Sequence, residues 1–203
     1  GLRAVLEVAG RDYQRINSTD LGFILGPRLN AAGRLDDMSL GIECLLCEDA
    51  ALASDMAQQL DELNKDRKSI EQGMQREALA QLKDLPLTDM PFGLCLFEPD
   101  WHQGVIGILA SRLKERYFRP AIAFADAGDG LLKGSARSVP GLHIRDALDA
   151  VAAKHPGLIS KFGGHAMAAG LSLPQEHYGA FAAAFDAEVR RQLSADDLTG
   201  RLL

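Results

Sequence analysis

Three short segments carry residue types that could hold an anion, and a fourth is weaker. Lys133-Gly134-Ser135-Ala136-Arg137-Ser138 falls at the end of a predicted strand. Its glycine lets another backbone come close, the hydroxyls of Ser135 and Ser138 can donate, and the Arg137 fork can meet a phosphate with two parallel hydrogen bonds. A solvated arginine beside a turn is the competing reading. Phe162 to Gly170 places Gly163 and Gly164 before His165, which would bring the imidazole near whatever approaches. A glycine-rich turn between core elements is the simpler account. Gly26 to Leu35 (GPRLNAAGRL) could present Arg28, Asn30 and Arg34 to one anion from a constrained loop. Those arginines could equally cap helix C-termini. In Asp100-Trp101-His102-Gln103-Gly104, Trp101 and His102 sit at a strand-to-helix turn where they could stack on a base, with Gln103 beside them; packing serves as well.

The chemistry that is missing narrows the class. No DxD, DHH, HExxH or paired-histidine cluster occurs, so no metal-ligand pattern is visible, and no GxSxG, Walker loop or GxGxxG is present. Asp36-Asp37 has no histidine near it in sequence and reads as a cap for the next helix. Cys44 and Cys47 match C-x-x-C, but they lie in the apolar stretch LGIECLLCEDAALA without a second pair, so they read as two small core residues.

These candidates need elements to position them. From Ile42 to Leu85 there is no proline and a single glycine, Gly73. Leu52, Met56, Leu60, Leu63, Ile70, Met74, Leu79 and Leu82 recur near every third and fourth residue, which predicts one helix over Asp49–Leu85 with a narrow apolar stripe, ended by Pro86. Before it, Ser18-Thr19-Asp20 offers caps for a helix over Leu21–Leu25, and GPRLNAAGRLDD reads as a turn-rich patch without a regular element. After it the pattern alternates. Strands are expected at Phe92–Phe97, Pro120–Ala125, Leu131–Ser135 and Ala168–Leu173, and helices at Val105–Arg116, Ile144–Lys154 and Gln175–Leu193. Strands alternating with helices predict an α/β domain with a mixed sheet.

The 203 residues are enough for a sizeable core but short for three independent domains, and 47% apolar with 25% charged residues excludes a wholly disordered chain. No apolar run approaches the ~20 residues of a membrane span. Net charge is −6, yet residues 48–86 hold nine acidic against five basic residues while 87–194 hold eleven of each. A polyanion could therefore still meet well-placed arginines outside the middle segment. Three cysteines are too few for a disulfide scaffold, so a reducing cytoplasm is the expectation. GLRAVLEVAG reads as the middle of a helix and DLTGRLL ends on an apolar run, both of which predict a longer parent.

In this order and spacing, GPRLNAAGRL (26–35), the long helix, GVIGILASRL (104–113), GSARS (134–138) and GGHAMAAGL (163–171) resemble the RecJ family of single-stranded-DNA-specific exonucleases, in the DHH phosphoesterase superfamily. The resemblance covers about residues 1 to 194. It implies that residues 1–47 end a DHH catalytic domain, that 48–86 form a connecting helix, and that 87–194 form a DHH-associated α/β domain. Residues 195–203 would start a following domain, an OB-fold, with 198–203 as its first strand. The fold class is thus α/β, a small mixed-sheet domain preceded by a long connecting helix and a helical remnant of the DHH domain. The implied activity of the parent is hydrolysis of single-stranded DNA, 5′ to 3′, with Mn²⁺ or Mg²⁺, in cytoplasmic DNA repair and recombination. The DHH triplet and the metal aspartates would lie upstream of Gly1, so the resemblance assigns no catalytic residue and no metal ligand here. Ser135 and Arg137 match the motif that grips a DNA phosphate, at the 5′ end; Arg28, Asn30 and Arg34 match a loop facing the cleft; Gly163, Gly164 and His165 match a motif lining it. Single-stranded DNA is the implied partner, with a single-strand-binding protein or a helicase as further ones and no membrane. The alternative is a non-catalytic substrate-binding domain of another DHH phosphoesterase, an oligoribonuclease or nucleotide phosphatase, from which the length of 48–86 distinguishes it.

Overall fold

In the computed structural model residues 1–83, 85–86 and 89–199 are described, in two units, Gly1–Gln72 and Gly73–Leu203. The first unit is helical. After α1 (Leu2–Val8) the chain is capped at Asn17, one residue before the expected Ser18–Asp20 cap. The Asn17 side-chain oxygen accepts from the Thr19 and Asp20 amides at 2.8 and 3.2 Å, and Asp20 in turn accepts from the Asn17 amide at 3.1 Å. α2 (Ser18–Asp20) runs through a wide π-type turn over Leu21–Leu25 straight into α3 (Gly26–Leu35). The glycine-rich segment 26–35 is therefore helix and not the turn-rich patch its composition suggests. Pro27 sits at the start of α3, where a missing N–H costs least, and Ala31 and Ala32 bury their small faces.

Asp37 accepts from the Ser39 amide at 2.9 Å, as a carboxylate at a helix start should, and those bonds to Ser39 hold its pKa below the usual value. α4 (Ser39–Leu46) follows. Cys44 is buried with Val5, Ala32, Ala57 and Leu60, and Cys44 and Cys47 are both free thiols. α5 (Ala50–Leu82) is continuous through Gly73, and its 33 residues correspond to about 50 Å. Glycine in a helix interior costs roughly 1 kcal/mol against alanine, too little to break it. The buried stripe uses Ala53, Ala57, Leu60 and Asn64, then Met74, Ala78 and Leu82, whereas Leu52 is exposed. Where the apolar pattern lapses, Arg67 bonds Asn64 at 3.2 Å and Glu71 at 2.9 Å. The helix ends at Leu82 rather than Leu85.

The second unit is the mixed α/β domain. It runs β1 (Leu94–Phe97), α6 (Ile106–Tyr117), β2 (Ala121–Asp126), β3 (Leu131–Arg137), α7 (Ile144–Lys154), β4 (Lys161–Gly164), β5 (Ala168–Pro174) and α8 (Tyr178–Gln192). The sheet order is β1-β2-β3-β5-β4, with β1 parallel to β2 across the α6 crossover and the other pairs antiparallel. β4 is an addition to the expected elements: the glycines of 163–164, read as a turn, continue a strand. Alternation sorts the two faces. Ile122, Phe124, Leu132, Ala136, Leu171 and Leu173 point into the core with α7 and α8, where Phe181 and Phe185 are buried. α6 packs on β2 and β3, against the small Ala121, Ala123 and Ala125. Asp196–Leu198 forms a single 3-10 turn, so the expected strand over 198–203 is not present at Leu198, and 200–203 lie outside the described residues.

Candidate nucleic-acid interface

Ser135 and Arg137 are neighbours on the α6 face of β3, because Gly134 before them and Ala136 between them face the core. Gly134 is there for space: a Cβ would lie 2.6 Å from the Phe124 ring and 2.7 Å from Leu171. Arg137 Nη1 donates to Ser135 Oγ at 3.1 Å and to the Ala136 carbonyl at 2.8 Å. The guanidinium is thus laid back along its own strand, half-buried, and held beside the hydroxyl.

The first turn of α6 closes on this pair. A Cβ on Gly107 would come within 2.9 Å of Arg137 Nη2 and 3.0 Å of Ser135 Oγ. Glycine at 107 therefore lets the helix N-terminus approach the hydroxyl and the guanidinium directly, and the positive end of the helix dipole adds to the cation. His102 builds that turn. Its carbonyl accepts from the Val105 and Ile106 amides at 2.9 and 3.2 Å, and its Nδ1 accepts from the Gly104 amide at 3.0 Å. With Nδ1 accepting, the neutral ring carries its proton on Nε2. Gln103 Nε2 donates to the Asp126 carbonyl at 2.9 Å.

The β4–β5 hairpin brings the glycine-histidine motif to the Arg137 end of the sheet. Gly164 has φ of +150° and a Cβ there would strike the Ala168 carbonyl at 2.5 Å, so only glycine fits. The His165 amide donates to the Ala168 carbonyl at 2.8 Å, and Ala168 pairs in register with Arg137. The Ser138 and Ile144 amides donate to the Met167 and Ala166 carbonyls at 3.0 and 2.9 Å, which ties the hairpin tip to the chain leaving β3. Ser135, Arg137, Gly163, Gly164 and the exposed His165 are in this way gathered toward one end of the sheet, whereas the His102–Gln103 turn, held on Asp126, lies toward the other end.

Three expected site residues are corrected. Ser138 is 1% exposed and its hydroxyl donates to the Leu142 carbonyl at 2.7 Å, so it closes a turn and does not face an anion. Trp101 is 3% exposed with its indole N–H on Glu77 at 2.8 Å, which leaves no open ring face for a base. Arg28 is committed to Asp61 at 2.7 and 2.9 Å and to the Ile24 carbonyl at 2.8 Å. Burial alone would raise the Asp61 pKa, but hydrogen bonds from Lys65 and Arg28 outweigh it and leave the carboxylate below its usual range. Asn30 and Arg34, four residues apart on α3, share an exposed face of the first unit from which Arg28 is turned away. Gly107 was not among the expected residues; the signal was the glycine in GVIG, one helical turn after Gly104.

Among the described residues no group of three His, Cys, Asp or Glu side chains could hold a metal ion. The described residues do not fit a divalent-cation centre. No helix is long and apolar enough to cross a membrane among the described residues.

A family model described as the DHHA1 domain matches residues 90–191. The single-stranded-DNA-specific exonuclease RecJ of Dickeya dadantii is 56% identical over 202 residues, 98% of this chain and 35% of that protein. The chain thus spans about a third of the length of the curated relative it matches. Among solved structures, RecJ of Thermus thermophilus in complex with Mg²⁺ superposes with a TM-score of 0.80 at 33% identity over 94% of this chain and 28% of that one. The Mn²⁺ complex of the same protein gives a TM-score of 0.79 over 94% and 27%.

Proposed function

The chain belongs to the DHHA1 domain family, and from that membership we propose that it is the strand-gripping part of a longer single-stranded-DNA-specific exonuclease. In this reading residues 1–47 are the end of the catalytic DHH domain, 48–86 the connecting helix, 87–194 the DHH-associated domain and 195–203 the start of a following one. Ile42, Leu45 and Leu46, 52%, 42% and 76% exposed on one helix of the first unit, support it, since a run of bare apolar side chains marks a surface that meets other protein. The Mn²⁺ or Mg²⁺ that would polarise the phosphodiester is held by residues of the parent outside this chain. The protein works on single-stranded DNA in the cytoplasm, 5′ to 3′, in repair and recombination.

Within that reading Ser135 and Arg137 hold the 5′ phosphate, His165 and the glycines before it flank the strand, and His102 and Gln103 shape the α6 turn. Asn30 and Arg34 are retained as strand contacts of the first unit. The observation that carries the proposal is the convergence of the Ser135 hydroxyl, the Arg137 guanidinium and the α6 N-terminus around Gly107. All three are donors and none is an acid, which suits a phosphate dianion. Such groups orient a substrate, and orientation is where binding energy becomes rate.

The test compares the wild-type chain with Arg137→Lys and Arg137→Ala on labelled strands bearing a 5′ phosphate or a 5′ hydroxyl. Lysine keeps the charge and loses the fork, so both variants should lose the preference for the phosphorylated strand. The chain alone should not hydrolyse either strand in Mn²⁺. Equal binding of both strands by the wild type, or nucleotide release by nuclease-free preparations, would sink the proposal.

A further inference from the structure

Beyond Ser135 and Arg137, the same face of the sheet continues across β5 and β4. Antiparallel register puts directly opposed side chains on one face. Ser135 opposes Gly170, which opposes Gly163; one step of two residues away, Lys133 opposes Ser172, which opposes Lys161. α6 covers this face over β2 and β3, whereas α7, the helix that contacts β4 and β5, packs on the core side. Lys133, Lys161, Gly163 and Gly170 are all exposed.

The two lysines flank one serine across two inter-strand spacings, so their Cα atoms lie about 10 Å apart. Among the described residues neither has an ion pair or a side-chain hydrogen bond. In a chain of net charge −6 most exposed cations are matched, as Arg3, Lys65, Arg112, Lys154, Arg190 and Arg191 are. Two exposed cations about 10 Å apart repel only weakly in water, and the spacing lets one extended anion meet both.

The glycines add an independent argument. A Cβ on Gly163 would meet nothing within 4 Å, and one on Gly170 only the Gly134 carbonyl at 3.9 Å; neither has a positive φ. Packing requires a side chain's absence at Gly134 and Gly164, but not here. A glycine in a strand interior weakens it, so two opposed ones on an exposed face have their reason outside the fold. They leave a flat strip of backbone between the phosphate grip and the lysine row.

We propose that Lys133, Ser172 and Lys161, with the flat strip at Gly163 and Gly170, form a second contact for the sugar-phosphate backbone of a single strand whose 5′ end sits at Ser135 and Arg137. The inference rests on the reading of the β3 end as a phosphate grip and extends it inward along the strand. An extended polyanion fits better than an acidic peptide because the strip has no apolar pocket for side chains.

Fluorescence anisotropy on the intact chain tests it, with a 5′-phosphorylated oligothymidylate, its 5′-hydroxyl counterpart and thymidine 5′-monophosphate as probes. Lys133→Gln combined with Lys161→Gln should weaken oligothymidylate binding and flatten its salt dependence by about 0.7 in the log–log slope per lysine removed. Binding of the mononucleotide should be unchanged. Gly163→Ala and Gly170→Ala should melt no lower than wild type and still weaken the oligothymidylate. An unaltered salt slope in the double lysine variant overturns the inference, as does no oligothymidylate binding at low salt. Tighter binding of oligoglutamate than of oligothymidylate also overturns it, in favour of a peptide. Loss of the 5′-phosphate preference in wild type with the lysine effect intact would remove the end-grip reading and leave the row standing.

Discussion

Gly107→Ala separates the roles of fold and site at the α6 turn. The added Cβ would sit 2.9 Å from Arg137 Nη2 and 3.0 Å from Ser135 Oγ, where ordinary contact begins near 3.4 Å. The guanidinium must therefore retreat by on the order of half an ångström. It is the far end of a flexible side chain, so the fold accommodates this cheaply. Replacing a helical glycine by alanine favours the helix by roughly 0.5–1 kcal/mol, so the melting temperature should hold or rise. Binding should move the other way. Charged hydrogen bonds contribute roughly 1.5–3 kcal/mol, and a displaced fork keeps its charge but loses its geometry. Loss of that contact corresponds to about tenfold to a hundredfold in affinity. The assay is the affinity ratio for 5′-phosphorylated over 5′-hydroxyl strands, measured beside a thermal melt of the same sample. A full 5′-phosphate preference in Gly107→Ala would show that the close approach at Gly107 has no part in binding. A melt several degrees lower would make Gly107 a packing glycine and refute the separation.

Glu188, buried under Arg191, Lys154 and Gln192, has its pKa lowered to about 2, chiefly by the Arg191 hydrogen bonds and against the opposing effect of burial. A depressed carboxylate stabilises the fold above its unfolded value of 4.5 and loses that contribution as pH falls toward 2. The loss is at most roughly 3 kcal/mol, and Glu188→Gln should flatten acid unfolding in that window; an equally steep curve would count against the pairing. Gly134→Ala should destabilise by about 1–3 kcal/mol in denaturant titration, because its Cβ would overpack Phe124 and Leu171; an unchanged midpoint would contradict the core register. Mn²⁺ should leave the melting temperature of the chain unchanged, since no ligand cluster is present among the described residues, and a concentration-dependent rise would reveal a site.

Periodicity alone determined much of this chain. The apolar spacing from Leu52 to Leu82 made α5 legible as a single helix although Ala53 and Ala57 are buried where Leu52 is exposed, and the alternation after Pro86 made a mixed α/β domain, because apolar spacing is read locally. The motifs GSARS and GGH were legible as candidates, yet composition could not choose between an anion site and a turn. What decided was register and depth. Ser135 and Ser138 are three residues apart and chemically alike, but one is half-buried beside α6 and Arg137 and the other is buried and closed on Leu142. Segment 26–35 is rich in turn formers and is nonetheless helix, since the Asn17 cap and the buried Ala31 and Ala32 outweigh local propensity. Trp101 reads as a stacking platform until its indole is found on Glu77, twenty-four residues away. The pairing of Lys133 and Lys161 through Ser172, and the approach of Gly107 to Arg137, join residues 28 and 30 positions apart. Such contacts depend on strand order and helix placement, which a linear pattern does not contain, and only the tertiary structure decides them.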